Sequence, residues 1–266
     1  MKDISSIIKA YETKGRALIG TVLSPSANFT EVSAAFQGLL PEPARALEEL
    51  CKFYEAEMIR CRDGGAYFSG CLAGAAMIES FLLLFCFLEK NTVIASAKFP
   101  RSSRENKPYE EVASHWTLKE LIPIAEELKW IGPEVVERDL VTALVDGYKE
   151  MLPTAIPNLS EEELNSVLQS LERHPDTALL VLMQSMRNLV HGGRCVRLRR
   201  RLWSEDFSDW AKLVMVLTVE VRDCLILRLG KAYEQYVRAL AESPEGLVRI
   251  ATLMSQFGIK REATNQ

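Results

Sequence analysis

The sequence predicts an all-α protein, an antiparallel helical bundle with an N-terminal helical extension. Thr117 and Glu120 have the spacing of a capping box. Ser160 and Glu163 repeat that spacing, and Pro244 follows a serine where the first helical turn tolerates proline. Strand signals are nearly absent, because no run alternates Val, Ile or Thr with polar residues. We therefore expect helices and no sheet.

These signals and the apolar periodicity predict nine helices in chain order. They lie near residues 3–20, 43–61, 66–89, 117–129, 133–151, 160–173, 177–190, 206–240 and 245–257. Between them, 91–116 carries two prolines, four serines and mixed charges without periodicity, which predicts a long surface loop. The segment LPTAIPNLS at 152–160 is a second break.

The composition is that of a soluble globular protein, with 266 residues, 48% apolar and 26% charged. It excludes a disordered or collagen-like chain, and the length suffices for a sizeable core. Neither break is rich enough in Gly and Ser to be a flexible linker between domains. We predict one all-α domain over 1–266, with a helical extension at 1–62 and a C-terminal helix and tail at 241–266.

One apolar segment allows two interpretations. Ala66–Leu88 has 23 residues with a single charge, Glu79, and is long enough to span a bilayer. An acidic residue at the bilayer centre costs about 3 kcal/mol, however, and both flanks are charged. The core helix of a soluble bundle is therefore favoured over a membrane span.

The six cysteines form no CxxC pair and lack histidines at zinc-ligand spacing, so we predict reduced thiols and no metal or other cofactor. The N-terminal sequence lacks the apolar stretch of a signal peptide, and we expect a cytoplasmic protein. The net charge of -4 argues against a protein that coats nucleic acid through its overall charge.

The most informative segment is the helix end around Arg187. An apolar helix runs to Val190 and meets two glycines, a natural stop. Arg187 and His191 are four positions apart, so these side chains and Asn188 can reach one small volume. The helix dipole favours a protonated imidazole while Arg187 opposes it, which leaves His191 suited to give or take a proton near neutral pH. Alternatively, Arg187 only caps carbonyls and pairs with a carboxylate such as Glu79.

A run of arginines follows that helix end. From Arg187 to Trp203 there are six arginines and no acidic residue, so the segment carries +6 and the rest of the chain -10. Guanidinium groups suit bidentate recognition of phosphate, and a tryptophan can stack on a base. The predicted RNA-binding residues are Arg194, Arg197, Arg199, Arg200, Arg201 and Trp203. The alternative is a solvated face balanced by the acids that follow.

Glu79 is the single carboxylate of the apolar helix, and it either pairs with Arg187 or faces solvent or another cation such as Arg60. A carboxylate in an apolar helix either ionises beside a cation or stays protonated. If Glu79 and Arg187 pair, Glu79 orients the Arg187 side chain without contacting the ligand itself. Removal of the Glu79 carboxylate would then leave a buried guanidinium without a partner.

The octapeptide RNLVHGGR at 187–194 resembles the RNLVHPGR form of the HEPN superfamily. These are small all-α proteins, and many are metal-independent ribonucleases of toxin–antitoxin and phage-defence systems. GCLAGAAMIESFLLL at 70–84 and LKELIPIAEELKWIG at 118–132 are similar to the first and second core helices of the family. The resemblance implies a helical core at 63–240 with an insertion at 139–177. It also implies that the first core helix packs against the motif helix, which makes Arg187 the expected partner of Glu79. The spacing from Arg187 to His191 is shorter than in well-studied HEPN nucleases, and Gly192 replaces the usual proline.

The resemblance implies an RNA-cleaving homodimer with the motif helices facing each other. His191 would be the general acid or base, Arg187 would stabilise the charge on phosphorus, and Asn188 would orient the imidazole or the phosphate. His115 and His174 are not expected to be catalytic. An antitoxin or defence protein is a further partner that the resemblance implies, and no membrane is expected. The rival hypotheses are a non-catalytic helical module that binds nucleic acid or protein through the same face, and a membrane-associated helical protein.

Overall fold

A computed structural model describes residues 37–100, 107–131, 177–188, 190 and 205–256, together with Gln169. Every regular element in these ranges is helical, which confirms the predicted all-α fold. A short 3₁₀ helix, Gln37–Leu39, comes first. The α-helices are α1 (Glu42–Asp63), α2 (Tyr67–Leu88), α3 (Lys90–Ala95), α4 (Tyr109–Ala113), α5 (Leu118–Glu127), α6 (Ala178–Asn188), α7 (Glu205–Ala241) and α8 (Pro244–Gln256).

Six of these helices coincide with predicted ones to within a few residues, namely α1, α2, α5, α6, α7 and α8. The caps explain two of the starts. Thr117 forms the predicted capping box with Glu120 before α5, and the hydroxyl of Ser243 accepts the N–H of Gly246 at 3.0 Å at the start of α8. The predicted helices at 3–20, 133–151 and 160–173 lie outside the described ranges, apart from Gln169, which is helical.

The helix α2 is the centre of the bundle. It packs against α1, α5, α6 and α7, and 13 of its 22 residues are buried. Among the described helices it alone is long and apolar enough to cross a membrane, and 67% of its qualifying 18-residue window is buried inside the protein. The apolar length of α2 is thus accounted for by helix packing, as the core-helix interpretation predicted.

A glycine on α2 lets three helices approach it closely. A Cβ placed on Gly74 would lie 2.7 Å from Thr218 Cγ2, 3.1 Å from Met183 Cε and 3.3 Å from Met58 Sδ. These neighbours belong to α7, α6 and α1, so the missing side chain of Gly74 lets three helices pack against α2 at one point. The helix α1, assigned to the N-terminal extension, also contributes Ala44, Cys51 and Met58 to this core.

A tight turn between α1 and α2 makes these helices antiparallel neighbours. Gly65 has a φ of 73°, the left-handed conformation that glycine adopts without steric cost. Its N–H donates to the carbonyl of Arg62 at 3.1 Å, and the N–H of Ala66 donates to Cys61 at 2.8 Å. These two bonds satisfy carbonyls that the end of α1 would otherwise leave open.

The prediction of a long surface loop at 91–116 is wrong for the described parts of that segment, which contain α4 and most of α3 and contribute to the core. The Tyr109 hydroxyl donates to the Cys86 carbonyl at 2.8 Å. The ring of Trp116, which is 6% exposed, lies 5.6 Å from that of Phe99 and 5.9 Å from that of Tyr109, edge to face. Aromatic burial anchors the segment despite its prolines and serines.

Candidate functional site

The fold brings Glu79, Arg187 and the start of α5 together. Oε2 of Glu79, on α2, accepts a hydrogen bond from Nη1 of Arg187, at the end of α6. The same oxygen accepts the backbone N–H of Leu118, the first residue of α5, at 3.0 Å. The predicted pairing of Glu79 with Arg187 is therefore confirmed, and one carboxylate joins three helices that lie far apart in the sequence. We call these three groups the Arg187 site.

The two charged side chains of the Arg187 site differ in exposure. The Glu79 side chain is 15% exposed and that of Arg187 is 41% exposed. The expectation of a buried guanidinium is therefore wrong, because Arg187 lies on the last turn of α6 and reaches solvent. Of its five N–H donors, one serves Glu79 among the residues that the structure describes. Its other N–H donors have no hydrogen-bond partner among the described residues, which would allow the side chain to bind an anionic ligand.

The start of α5 is held by its own cap as well as by Glu79. The hydroxyl of Thr117 accepts the N–H of Lys119 at 3.4 Å, and the Glu120 carboxylate accepts the N–H of Thr117 at 2.9 Å. Burial alone would raise the pKa of Glu120, but the hydrogen bonds from Thr117 outweigh it and lower that pKa. Glu120 is therefore ionised and its charge is used within the cap.

Two more residues of the predicted motif lie next to Arg187. Asn188 is the last residue of α6 and is half-buried, and Val190 is 56% exposed in the turn that follows. The N–H of Val190 donates to the carbonyl of Arg187 at 3.2 Å, which tightens the end of the helix. An exposed valine beside an exposed guanidinium gives this helix end both apolar and cationic character.

The rest of the predicted site lies outside the described residues. This applies to His191, Arg194, Arg197, Arg199, Arg200, Arg201 and Trp203, and to the alternative His174. Their roles stay predictions. His115, the other alternative, is described and exposed two residues before the cap of α5.

A second ion pair, at the end of α2, was not predicted from the sequence. Glu89 follows α2, and its carboxylate accepts hydrogen bonds from Arg228 of α7 and from Nε1 of Trp130, the latter at 3.2 Å. The Arg228 guanidinium also lies 5.7 Å from the centre of the Phe85 ring. In the sequence, Glu89 is one of the charged residues that flank the apolar segment, and its position at the boundary of a helix predicted to be buried is the one signal that could have indicated its pairing.

The described cysteines are free thiols, as predicted, and three of them are buried: Cys51, Cys71 and Cys86. Burial raises the pKa of each of these thiols above its ordinary value, so they are poor nucleophiles at neutral pH. Within the described ranges, no group of three or more His, Cys, Asp or Glu residues could hold a metal ion.

Comparisons of the chain with protein-family models, with curated protein sequences and with solved structures found no match. The motif at 187–194 and the geometry of the Arg187 site are therefore the features that bear on function.

Proposed function

We propose that the protein is a HEPN-like, metal-independent endoribonuclease of the cytoplasm, active in phage defence or a toxin–antitoxin system. The observation that carries the proposal is the placement of Arg187. Its side chain is 41% exposed at the end of a helix, and its guanidinium forms an ion pair with Glu79. A side chain held in one orientation with free donors can bind the oxygens of a phosphodiester without first losing its conformational freedom.

The proposed reaction is cleavage of RNA by its own 2′-hydroxyl. The 2′-oxygen attacks the adjacent phosphorus and loses its proton to a base, the O2′–P bond forms, and the P–O5′ bond breaks as the 5′-oxygen receives a proton. His191 acts as the general base or acid in these transfers. Arg187 stabilises the negative charge that develops on the phosphoryl oxygens, and Asn188 orients the imidazole or the phosphate. This mechanism uses no metal ion.

We further propose that the active form is a homodimer, with Arg187 ends from two copies facing each other. Val190, which is 56% exposed, would lie in this contact. The predicted arginine run 194–201 would then guide RNA toward the interface. An antitoxin or defence protein that covers the same face is the expected regulatory partner.

A second candidate function is a non-catalytic module that binds nucleic acid or protein through the same surface. The observation that favours it is the ion pair itself, because Glu79 offsets the charge of Arg187 and weakens its attraction for phosphate. In this case RNA binding depends mainly on the arginine run. The slope of log K against log salt is then roughly -2 to -4, at about 0.7 per phosphate neutralised, and replacing Arg199, Arg200 and Arg201 by alanine flattens it.

Product chemistry separates the two functions. Purified protein is incubated with an oligoribonucleotide in the presence of a chelator, and the ends of the products are identified by mass spectrometry. The ribonuclease proposal expects 2′,3′-cyclic phosphate ends, no cleavage where the 2′-hydroxyl is replaced by hydrogen, and none by His191→Ala. Binding of RNA without cleavage by the wild-type protein would leave only the second function.

A further inference from the structure

The turn that leads into α5 carries an exposed histidine that the proposed reaction does not use. His115 lies between α4 and α5, two residues before the cap residue Thr117 and three before Leu118. Leu118 is the residue whose N–H binds Glu79 within the Arg187 site. The turn and the proposed phosphate-binding group are thus connected through one hydrogen-bonded carboxylate.

The backbone of this turn is held in place on both sides of His115. The N–H of His115 donates to the carbonyl of Val112 at 3.2 Å, and the N–H of Trp116 donates to that of Ala113 at 3.0 Å. Trp116 is buried among the aromatic side chains beneath the segment. His115 is therefore an exposed residue on a fixed backbone, and not the tip of a free loop.

Chain geometry limits how far His115 can lie from Arg187. Three residues of fully extended chain span about 10 Å, which bounds the separation of His115 from the N–H of Leu118. That N–H lies 3.0 Å from the carboxylate oxygen that binds Arg187. The backbone of His115 is therefore within roughly 15 Å of the guanidinium. Phosphates advance by about 3.4 Å per nucleotide along the axis of a strand with duplex geometry, so this distance corresponds to at most about four nucleotides.

We propose that His115 is a second contact for the RNA strand that Arg187 binds, on a nucleotide a few positions from the one at Arg187. The inference depends on the proposed function and adds a binding subsite to it. An imidazole can donate a hydrogen bond to a phosphate or stack on a base, and both contacts suit a single-stranded ligand. The adjacent Lys119 is also exposed, and the nearby acid Glu120 is used within the cap of α5.

The competing explanation is that His115 is an ordinary surface residue. Truncation of an exposed side chain away from special contacts changes the free energy of unfolding by at most about 0.5 kcal/mol. His115→Ala is therefore expected to fold normally under either explanation, and binding data can distinguish them. Ser114→Ala is the matched control on the same turn.

The test is a length series of fluorescently labelled oligouridylates, from two to twelve nucleotides, with affinities measured by anisotropy or competition. For the dodecamer, we expect His115→Ala to weaken binding by about three- to tenfold, while Ser114→Ala changes it less than twofold. For the dinucleotide, we expect the effect of His115→Ala to be smaller than for the dodecamer, because a ligand with one phosphodiester spans less of the distance between the two contacts. Arg187→Ala weakens binding at every length.

Three outcomes would overturn the inference. An unchanged affinity of His115→Ala for the dodecamer, with Arg187→Ala still impaired, would remove the subsite and leave the proposed function intact. An equal loss at every length would place His115 at the Arg187 phosphate or assign it an indirect effect. A wild-type protein that binds none of the oligouridylates, with Arg187→Ala unchanged, would contradict the proposed function and the subsite with it.

Discussion

Two carboxylate–guanidinium ion pairs at α2 have the same chemistry but different surroundings. Glu79 binds Arg187 and the N–H of Leu118, and Glu89 binds Arg228 and the indole of Trp130. Each carboxylate joins helices that are far apart in the sequence, and each accepts one donor besides the guanidinium.

The two pairs differ in the environment of the arginine. The Arg228 side chain is 18% exposed, and its Nη1 is buried without a hydrogen-bond partner among the described residues. Arg187 is 41% exposed. A guanidinium enclosed by protein can contribute only to the fold, whereas one that reaches solvent can also bind a ligand. We therefore expect the Glu89 pair to act in the fold, and the Glu79 pair is the one for which we propose a role in binding.

The largest expected effect is on the buried pair. Glu89→Gln leaves Arg228 enclosed without its counter-charge, which costs about 3–5 kcal/mol for a buried pair. Urea unfolding followed by circular dichroism measures this loss. The control is Glu42→Gln, which removes the exposed partner of Arg45 and is expected to cost less than about 1 kcal/mol. A loss for Glu89→Gln as small as that of the control would contradict the structural role.

The same replacement at the exposed pair has a smaller effect. Because water reaches Arg187, we expect Glu79→Gln to lower the free energy of unfolding by about 1–2 kcal/mol, between the buried and surface limits. The glutamine oxygen can still accept the N–H of Leu118. We therefore expect the loss in the free energy of unfolding to be largest for Glu89→Gln, smaller for Glu79→Gln and smallest for Glu42→Gln. A Glu79→Gln loss equal to that of Glu89→Gln would mean that Arg187 is enclosed.

The cap of α5 stabilises the helix start that contacts Glu79 in the Arg187 site. Replacing the cap residues measures this contribution to stability. Thr117→Ala removes a helix cap and is expected to cost about 1 kcal/mol. The pKa of Glu120 is lowered from its ordinary value of 4.5, so its contribution is present above that pH and is lost as pH falls through the lowered pKa. The stability difference between the wild type and Glu120→Gln, smaller than about 1 kcal/mol, therefore shrinks from pH 6 to pH 3. A difference independent of pH would exclude the ionised cap.

The smallest expected effect concerns the backbone beside Trp130. Lys129 has a φ of 56°, the left-handed conformation that Gly65 adopts in the turn after α1. The N–H of the next residue, Trp130, donates to the carbonyl of Ala125 at 2.9 Å. Lys129→Gly removes the steric cost of the left-handed conformation and adds chain entropy to the unfolded state, so we expect a net gain of about 0.5–1 kcal/mol. Thermal unfolding measures it. A destabilised variant would show that the Lys129 side chain contributes contacts worth more than this strain.

Helices with caps and a continuous apolar face could be predicted from the sequence. The capping box of Thr117, the apolar length of α2 and the serine before Pro244 each depend on residues close in sequence, and each was located correctly. The segment 91–116 could not, because its burial depends on contacts between Tyr109, Phe99 and Cys86, which only the folded chain brings together.

Part of the candidate site could also be predicted from the sequence. Glu79 and Arg187 could be paired because the helix order that the resemblance implies packs their helices together, and a carboxylate in an apolar helix needs a partner to stay ionised. The exposure of Arg187 and the role of Leu118 could not be predicted, because a backbone N–H carries no sequence signal and exposure depends on how α6 ends against its neighbours.

The most direct test of the account is the rate of RNA cleavage per folded molecule in Arg187→Ala, Glu89→Gln and the control Arg45→Ala, each normalised by its folded fraction. We predict that Arg187→Ala lowers this rate by about 100- to 1,000-fold, the effect of removing one donor that stabilises transition-state charge. Glu89→Gln and Arg45→Ala keep the wild-type rate. Equal rates for Arg187→Ala and the wild type, or a loss confined to Glu89→Gln, would contradict the assignment of binding to the exposed pair and structure to the buried one.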